Sequence, residues 1–99
     1  MIPTKVHNMI SNRGNKIPNQ FLITTDEAFY FQSYETIIAK RTKDGKIFLD
    51  VNRWDYSPTT GKYRNQFLNE NINETRKKID KGIYILKDLN KWKIYFKVA

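Results

Sequence analysis

No cysteine occurs in this chain of 99 residues, so neither a disulfide framework nor a thiolate metal site is available to it. A secreted protein of this size would lack its usual staples, and a reducing compartment fits best. Long apolar runs are missing too, since no stretch approaches the roughly 18 residues that a spanning helix needs. The start, Met1-Ile2-Pro3-Thr4-Lys5, has neither an apolar signal core nor a small-residue cleavage site. The expectation is a cytoplasmic protein, neither exported nor membrane-spanning and with no membrane partner. Glycine is scarce, at four residues, and none falls in a G-x-x-x-x-G-K-S/T, G-x-G-x-x-G or G-x-S-x-G pattern. Phosphate-loop, dinucleotide and hydrolase readings therefore lose their sequence support.

Histidine is nearly absent. His7 stands alone, and an imidazole with no cysteine or carboxylate beside it is a poor catalyst or ligand. It is expected at the surface or at a strand edge. A metal-dependent nuclease would need two or three converging carboxylates, for which Asp50, Asp55 and the Asp26-Glu27 pair are the candidates. Asp55 stands two residues before a helix-capping serine and is expected to accept local backbone N–H groups instead. The chain is thus read as non-enzymatic, with no cofactor or metal.

Two things are abundant. Aromatic residues make up 14% and hydrophobic residues 39% of the chain, more than a disordered chain of this charge would carry, so one folded domain over residues 1–99 is expected. Cations exceed anions by 18 to 10, a net charge of +8. The excess is uneven: residues 1–50 contribute +2 and residues 51–99 contribute +6. Such a field attracts nucleic acid, anionic membrane or an acidic protein, and it also serves simply to keep a protein soluble.

The first half reads as a strand meander. Candidate strands are Val6 to Ile10, Phe21 to Thr25 and Ala28 to Gln32, separated by Asn12-Arg13-Gly14-Asn15 and by a reversal at Asp26-Glu27. Thr36 to Arg41 and Lys46 to Val51 form a hairpin around Lys43-Asp44-Gly45, which places Ile38 and Phe48 in the core. The second half changes period. Ser57-Pro58 opens a helix with a capping hydroxyl and a proline where no donor is needed, and Tyr63 and Phe67 form its inward stripe with Leu68 beside it. Gly61 within this helix implies a close approach or a later start. Asn71 three residues before Glu74 starts a second helix, with Ile72, Thr75 and Ile79 on one face and Gly82 as its stop. Ile83 to Leu89 and Lys91 to Lys97 are the last strand candidates. The fold expected is α+β, a mostly antiparallel meander sheet with two short helices packed on one face.

Residues Arg53-Trp54-Asp55-Tyr56-Ser57-Pro58-Thr59-Thr60-Gly61-Lys62-Tyr63-Arg64 are the densest constellation. Aromatics, cations, hydroxyls and a helix N-terminus together suit a phosphate or an extended polar ligand, although caps and aromatic plugs are the ordinary use of such residues. Together with Phe31-Gln32-Ser33-Tyr34, Thr36-Ile37-Ile38-Ala39, Phe48-Leu49-Asp50 and Phe67-Leu68, this segment resembles an uncharacterised family of small phage-associated proteins. Its pattern is F-x-S-Y followed by Y-S-x-T-T-x-K, and the likeness covers residues 17–89. The resemblance implies a viral or mobile-element setting in a bacterial host and lends no catalytic residue.

Two functional readings follow. In one, a basic accessory protein binds nucleic acid through Arg53, Lys62, Arg64, Arg76, Lys77, Lys78 and Lys81, with Lys62 and Arg64 expected to reach solvent on the first helix and Lys77, Lys78 and Lys81 on the second, where they could merge into one patch. In the other, a phage-encoded inhibitor or adaptor docks on a host or defence protein, CRISPR-type for example, through Trp54, Tyr56, Thr59 and Thr60. A minor virion component is a third possibility. DNA against RNA, and the oligomeric state, stay open.

Overall fold

The computed structural model describes residues 4–91. Six strands and two helices occur there in the order β1 (Lys5–Ile10), β2 (Lys16–Thr24), β3 (Ala28–Ser33), β4 (Thr36–Thr42), β5 (Ile47–Asp50), α1 (Pro58–Leu68), α2 (Ile72–Asp80) and β6 (Tyr84–Lys87). All six strands join one sheet in sequence order. Neighbours from β1 to β5 pair antiparallel, and β6 lies parallel to β5. Parallel neighbours cannot be joined by a tight turn, and α1 and α2 supply the crossover. The fold is the expected α+β arrangement. The alternating stretch from Lys91 to Lys97 lies, beyond Lys91, outside the described residues.

The register assigns the two faces. Leu22, Phe31, Ala39 and Leu49 are cross-strand partners in one row. With Met9, Ile17, Ile38 and Tyr84 they form the core against Leu68, Trp54, Tyr63, Phe67 and Ile79 of the helical layer. Both helices therefore cover the same face. Each fully buried side chain of this type contributes about 1.5–3 kcal/mol. The next row, Ile23, Tyr30, Lys40 and Phe48, points the other way, where Ile23, Ile37 and Leu89 form a second buried cluster. Phe48 belongs to this opposite face, half-buried between the ammonium groups of Lys40 and Lys87, rather than to the helix-side core. Alternation along one hairpin strand shows which residues share a face but not that both faces are covered.

Helix starts follow the sequence closely. Ser57 is extended at the N-cap of α1, its Oγ accepts from Thr60 N at 3.1 Å, and Pro58 is the first helical residue. Asn71 and Glu74 form a reciprocal capping box on α2, and Gly82 follows it at φ +74°. The buried stripe of α1 is not the aromatic one, however. Thr60, Arg64 and Leu68, at four-residue spacing, are buried, while Tyr63 and Phe67 flank them half-buried.

Candidate functional site

Arg64 corrects the sequence reading most sharply. Expected on the solvent side of α1, it is 1% exposed. Its position four residues after Thr60 and four before Leu68 turns it toward the sheet. The guanidinium lies 5.3 Å from the Trp54 ring centroid. Its Nη1 donates to Trp54 O at 2.8 Å and to Asp55 Oδ1 at 3.1 Å, and its Nη2 donates to Asn65 Oδ1 at 2.9 Å. Only its Nε is buried without a partner. A planar five-donor fork suits this set of three acceptors, and lysine could not replace it. Asp55, expected to hold backbone amides, instead bridges two arginines, with its Oδ2 3.3 Å from Arg76 Nη2.

Above this pair runs an open groove of about 630 Å³, lined by Asp55, Tyr56, Ser57, Pro58, Gly61, Lys62, Arg64, Asn65 and Ile72. The loop after β5, the first turns of α1 and the start of α2 build its walls. Gly61 carries no side chain over the arginine, and a Cβ there would sit 3.5 Å from Arg64 Nη2. Three further cations gather at the groove. Lys62 is part of its wall, Arg76 reaches Asp55, and Arg53 stacks on the Tyr56 ring at 5.3 Å. Tyr56 is 44% exposed. Two of these four cations, Arg64 and Arg76, bond the groove's Asp55 carboxylate on both oxygens, while Lys62 and Arg53 lie over the Tyr63 and Tyr56 rings.

The remaining cations do not all join them. Lys78 is not free to meet a ligand as expected, because its Nζ lies 2.7 Å from the buried Glu70 carboxylate although 39% of its side chain is exposed. Lys77 and Lys81, one turn apart, are exposed on the outer side of α2, about a third of a turn or more beyond Arg76 by helical phase. The seven expected contacts therefore divide into a groove group, a buried floor, a structural ion pair and an outer pair. Among the residues expected to meet a partner, Tyr56 and Thr59 are exposed. Trp54 packs on the core, and Thr60 is 1% exposed with its hydroxyl 3.1 Å from Ser33 Oγ. Neither presents a free surface.

Asp50 does not converge with Asp55. Its carboxylate accepts from Asn52 N, Leu89 N and the Asn90 amide, while Asn90 pairs with both N–H and C=O of Ile37 and so continues the ladder past the end of β5. His7 is exposed on the edge strand β1. Sequence reasoning missed Tyr34 and Gln20. Tyr34 is 54% exposed at φ +54°, and Gln20 is 1% exposed with an unpartnered Oε1. The F-x-S-Y stretch was the one available signal for the first, and nothing in the sequence marked the second.

Fold and groove together define a small α+β protein with an open, cation-lined cleft at the entry to its first helix. The chain belongs to the family of unknown function DUF8033, whose model matches residues 4–83 and so spans the whole groove. No curated protein and no solved structure matches the chain.

Proposed function

We propose that the groove binds single-stranded nucleic acid through its phosphate backbone, without catalysis and with little base readout. One observation carries this reading: Lys62 in the wall, Arg53 on the wall's Tyr56 and Arg76 beside it surround a cleft whose lining carboxylate, Asp55, is already paired with the buried Arg64. A cationic track beside an exposed aromatic face is the usual equipment for holding a single strand, since every base offers a π-face and every link a phosphate. A duplex is rigid, and reading it needs a helix or ribbon free to enter a groove, whereas here α1 presents its first turn and α2 its side. A phage or mobile-element origin and action in the host cytoplasm belong to the same proposal, supported by the family resemblance and the cysteine-free composition.

The test is fluorescence anisotropy with a labelled mixed-sequence single-stranded oligonucleotide and its duplex, from low to moderate salt. Tighter single-strand binding with log affinity falling linearly with log salt is expected, and Arg53→Ala with Lys62→Ala should flatten that slope by about 0.7 per lost contact. Absence of binding at low salt, or an unchanged slope in the double variant, would overturn the reading in favour of a host or defence protein as partner.

A further inference from the structure

Tyr34 occupies a backbone conformation that an aromatic residue rarely adopts. At φ +54° its Cβ crowds its own chain, and glycine or asparagine is the usual occupant of that region. The fold holds it there from both sides. Tyr34 N donates to Asn19 O at 2.7 Å, where Asn19 is itself left-handed at φ +63°. Tyr34 O accepts from the side-chain amide of the buried Gln32 at 2.7 Å. The ring gains nothing visible in return, because 54% of the residue is exposed and its side chain makes no hydrogen bond among the described residues. The two-residue turn between Ser33 and Thr36 itself demands this φ, so what needs a reason is the tyrosine, and an idle, solvent-facing ring where glycine or asparagine would serve points to use by a ligand.

The position says which ligand. Ser33, the preceding residue, bonds Thr60 across 3.1 Å, and Thr60 precedes Gly61 in the groove wall. The tip of the β3–β4 turn therefore stands beside the first turn of α1, on the order of 10 Å from the groove along the chain geometry. Beneath it, Gln20 pairs in register with Ser33 and leaves its Oε1 without a partner.

We infer that Tyr34 is a stacking platform for a base of the strand held in the groove, so that the binding path continues around the N-terminus of α1 onto the β3–β4 turn. This rests on the nucleic-acid reading of the groove. Because the turn already fixes the backbone, only the two side-chain torsions of the tyrosine remain to be ordered when a base lands on the ring.

The experiment compares wild type, Tyr34→Asn and Tyr34→Phe by thermal unfolding and by anisotropy with the single-stranded oligonucleotide at several salt concentrations. Asparagine tolerates the left-handed region, so Tyr34→Asn should melt at or above the wild-type temperature. Its affinity should fall roughly 5- to 150-fold, the loss of one stacked base, with the salt slope unchanged and with Tyr34→Phe close to wild type. Equal affinity of Tyr34→Asn and wild type would overturn the platform and leave the groove reading standing. A lower melting temperature in Tyr34→Asn would overturn it by making the tyrosine structural, and a flattened slope by making it a phosphate contact. If wild type binds no oligonucleotide, both readings fall together.

Discussion

Arg64 and Lys62 are both cations two residues apart on one helix, yet one is the floor of a cleft and the other its wall. The difference is phase: Arg64 shares the inward line with Thr60 and Leu68, and Lys62 stands opposite. Burial is tolerable because carbonyl, carboxylate and amide oxygens all converge on the guanidinium. Arg64→Lys should therefore cost about 2–3 kcal/mol, measured by urea unfolding, since an ammonium cannot serve three spread acceptors and leaves buried oxygens unpaired. Gly61→Ala tests the opposite balance. A Cβ 3.5 Å from Arg64 Nη2 is an ordinary contact, so the helix-propensity gain of up to about 1 kcal/mol should survive and raise the melting temperature. The new methyl narrows the groove floor, and oligonucleotide affinity should fall even as stability rises. The close approach at Gly61 was legible in the sequence, but the burial of Arg64 was not, since a buried arginine looks like a solvated one until its acceptors are placed around it. Asp55, nine residues earlier, gave no hint of being its partner.

Elements were far more legible, because their ends carry local chemistry. Ser57-Pro58, the Asn71–Glu74 box and the glycine after α2 stand where the sequence put them, and the meander order follows from turn residues at short spacing. The start of β2 was hidden, since Pro18 and the left-handed Asn19 interrupt the alternation from Lys16 onward. Phe67 shows the limit of a periodicity argument. It stacks on Phe31 at 6.1 Å between ring centroids and packs on the core as expected, but without full burial, so Phe67→Ala should cost about 2 kcal/mol in urea unfolding rather than the 3–5 of a full core phenylalanine. What joins the helical layer to β6 is Glu70. Its carboxylate accepts from Thr75 Oγ1 at 2.6 Å, Lys78 Nζ at 2.7 Å and Tyr84 OH at 2.7 Å. Burial acts to raise its pKa, but those three bonds outweigh burial and hold it below the usual glutamate value. Its contribution to stability is therefore present above the unfolded glutamate pKa and is lost as pH falls through the lowered folded one. The bond to Glu70 raises Lys78, and burial followed by the hydrogen bond to Glu70 raises Tyr84. Their contributions are present below their ordinary values and fade as pH climbs through the raised ones. Glu70→Gln should lose at least about 2 kcal/mol at neutral pH and show a flatter decline in stability below pH ~4, read from urea midpoints across pH.

At the scale of the whole molecule the question is what a net charge of +8 does. A diffuse field and a built cleft give different signatures, and the separation of Arg53, Lys62 and Arg76 from Lys77 and Lys81 allows them to be told apart. Charges spread over the surface raise the encounter rate and are screened within about 8–10 Å at ordinary ionic strength. Charges that touch phosphates displace condensed counterions, and only these set the slope of log affinity against log salt. Two variants of nearly matched charge make the comparison: Lys62→Ala with Arg76→Ala at the groove, and Lys77→Ala with Lys81→Ala on the outer side of α2. Both lower the net charge by the same two units, and surface changes of this kind shift stability by less than about 0.5 kcal/mol each. If the cleft is the binding site, the groove pair should flatten the salt slope for a single strand by about 1.4. The outer pair should slow association at low salt and leave the slope nearly intact. Equal effects of the two pairs would mean that the protein binds through its overall field alone, with the cleft playing no particular part.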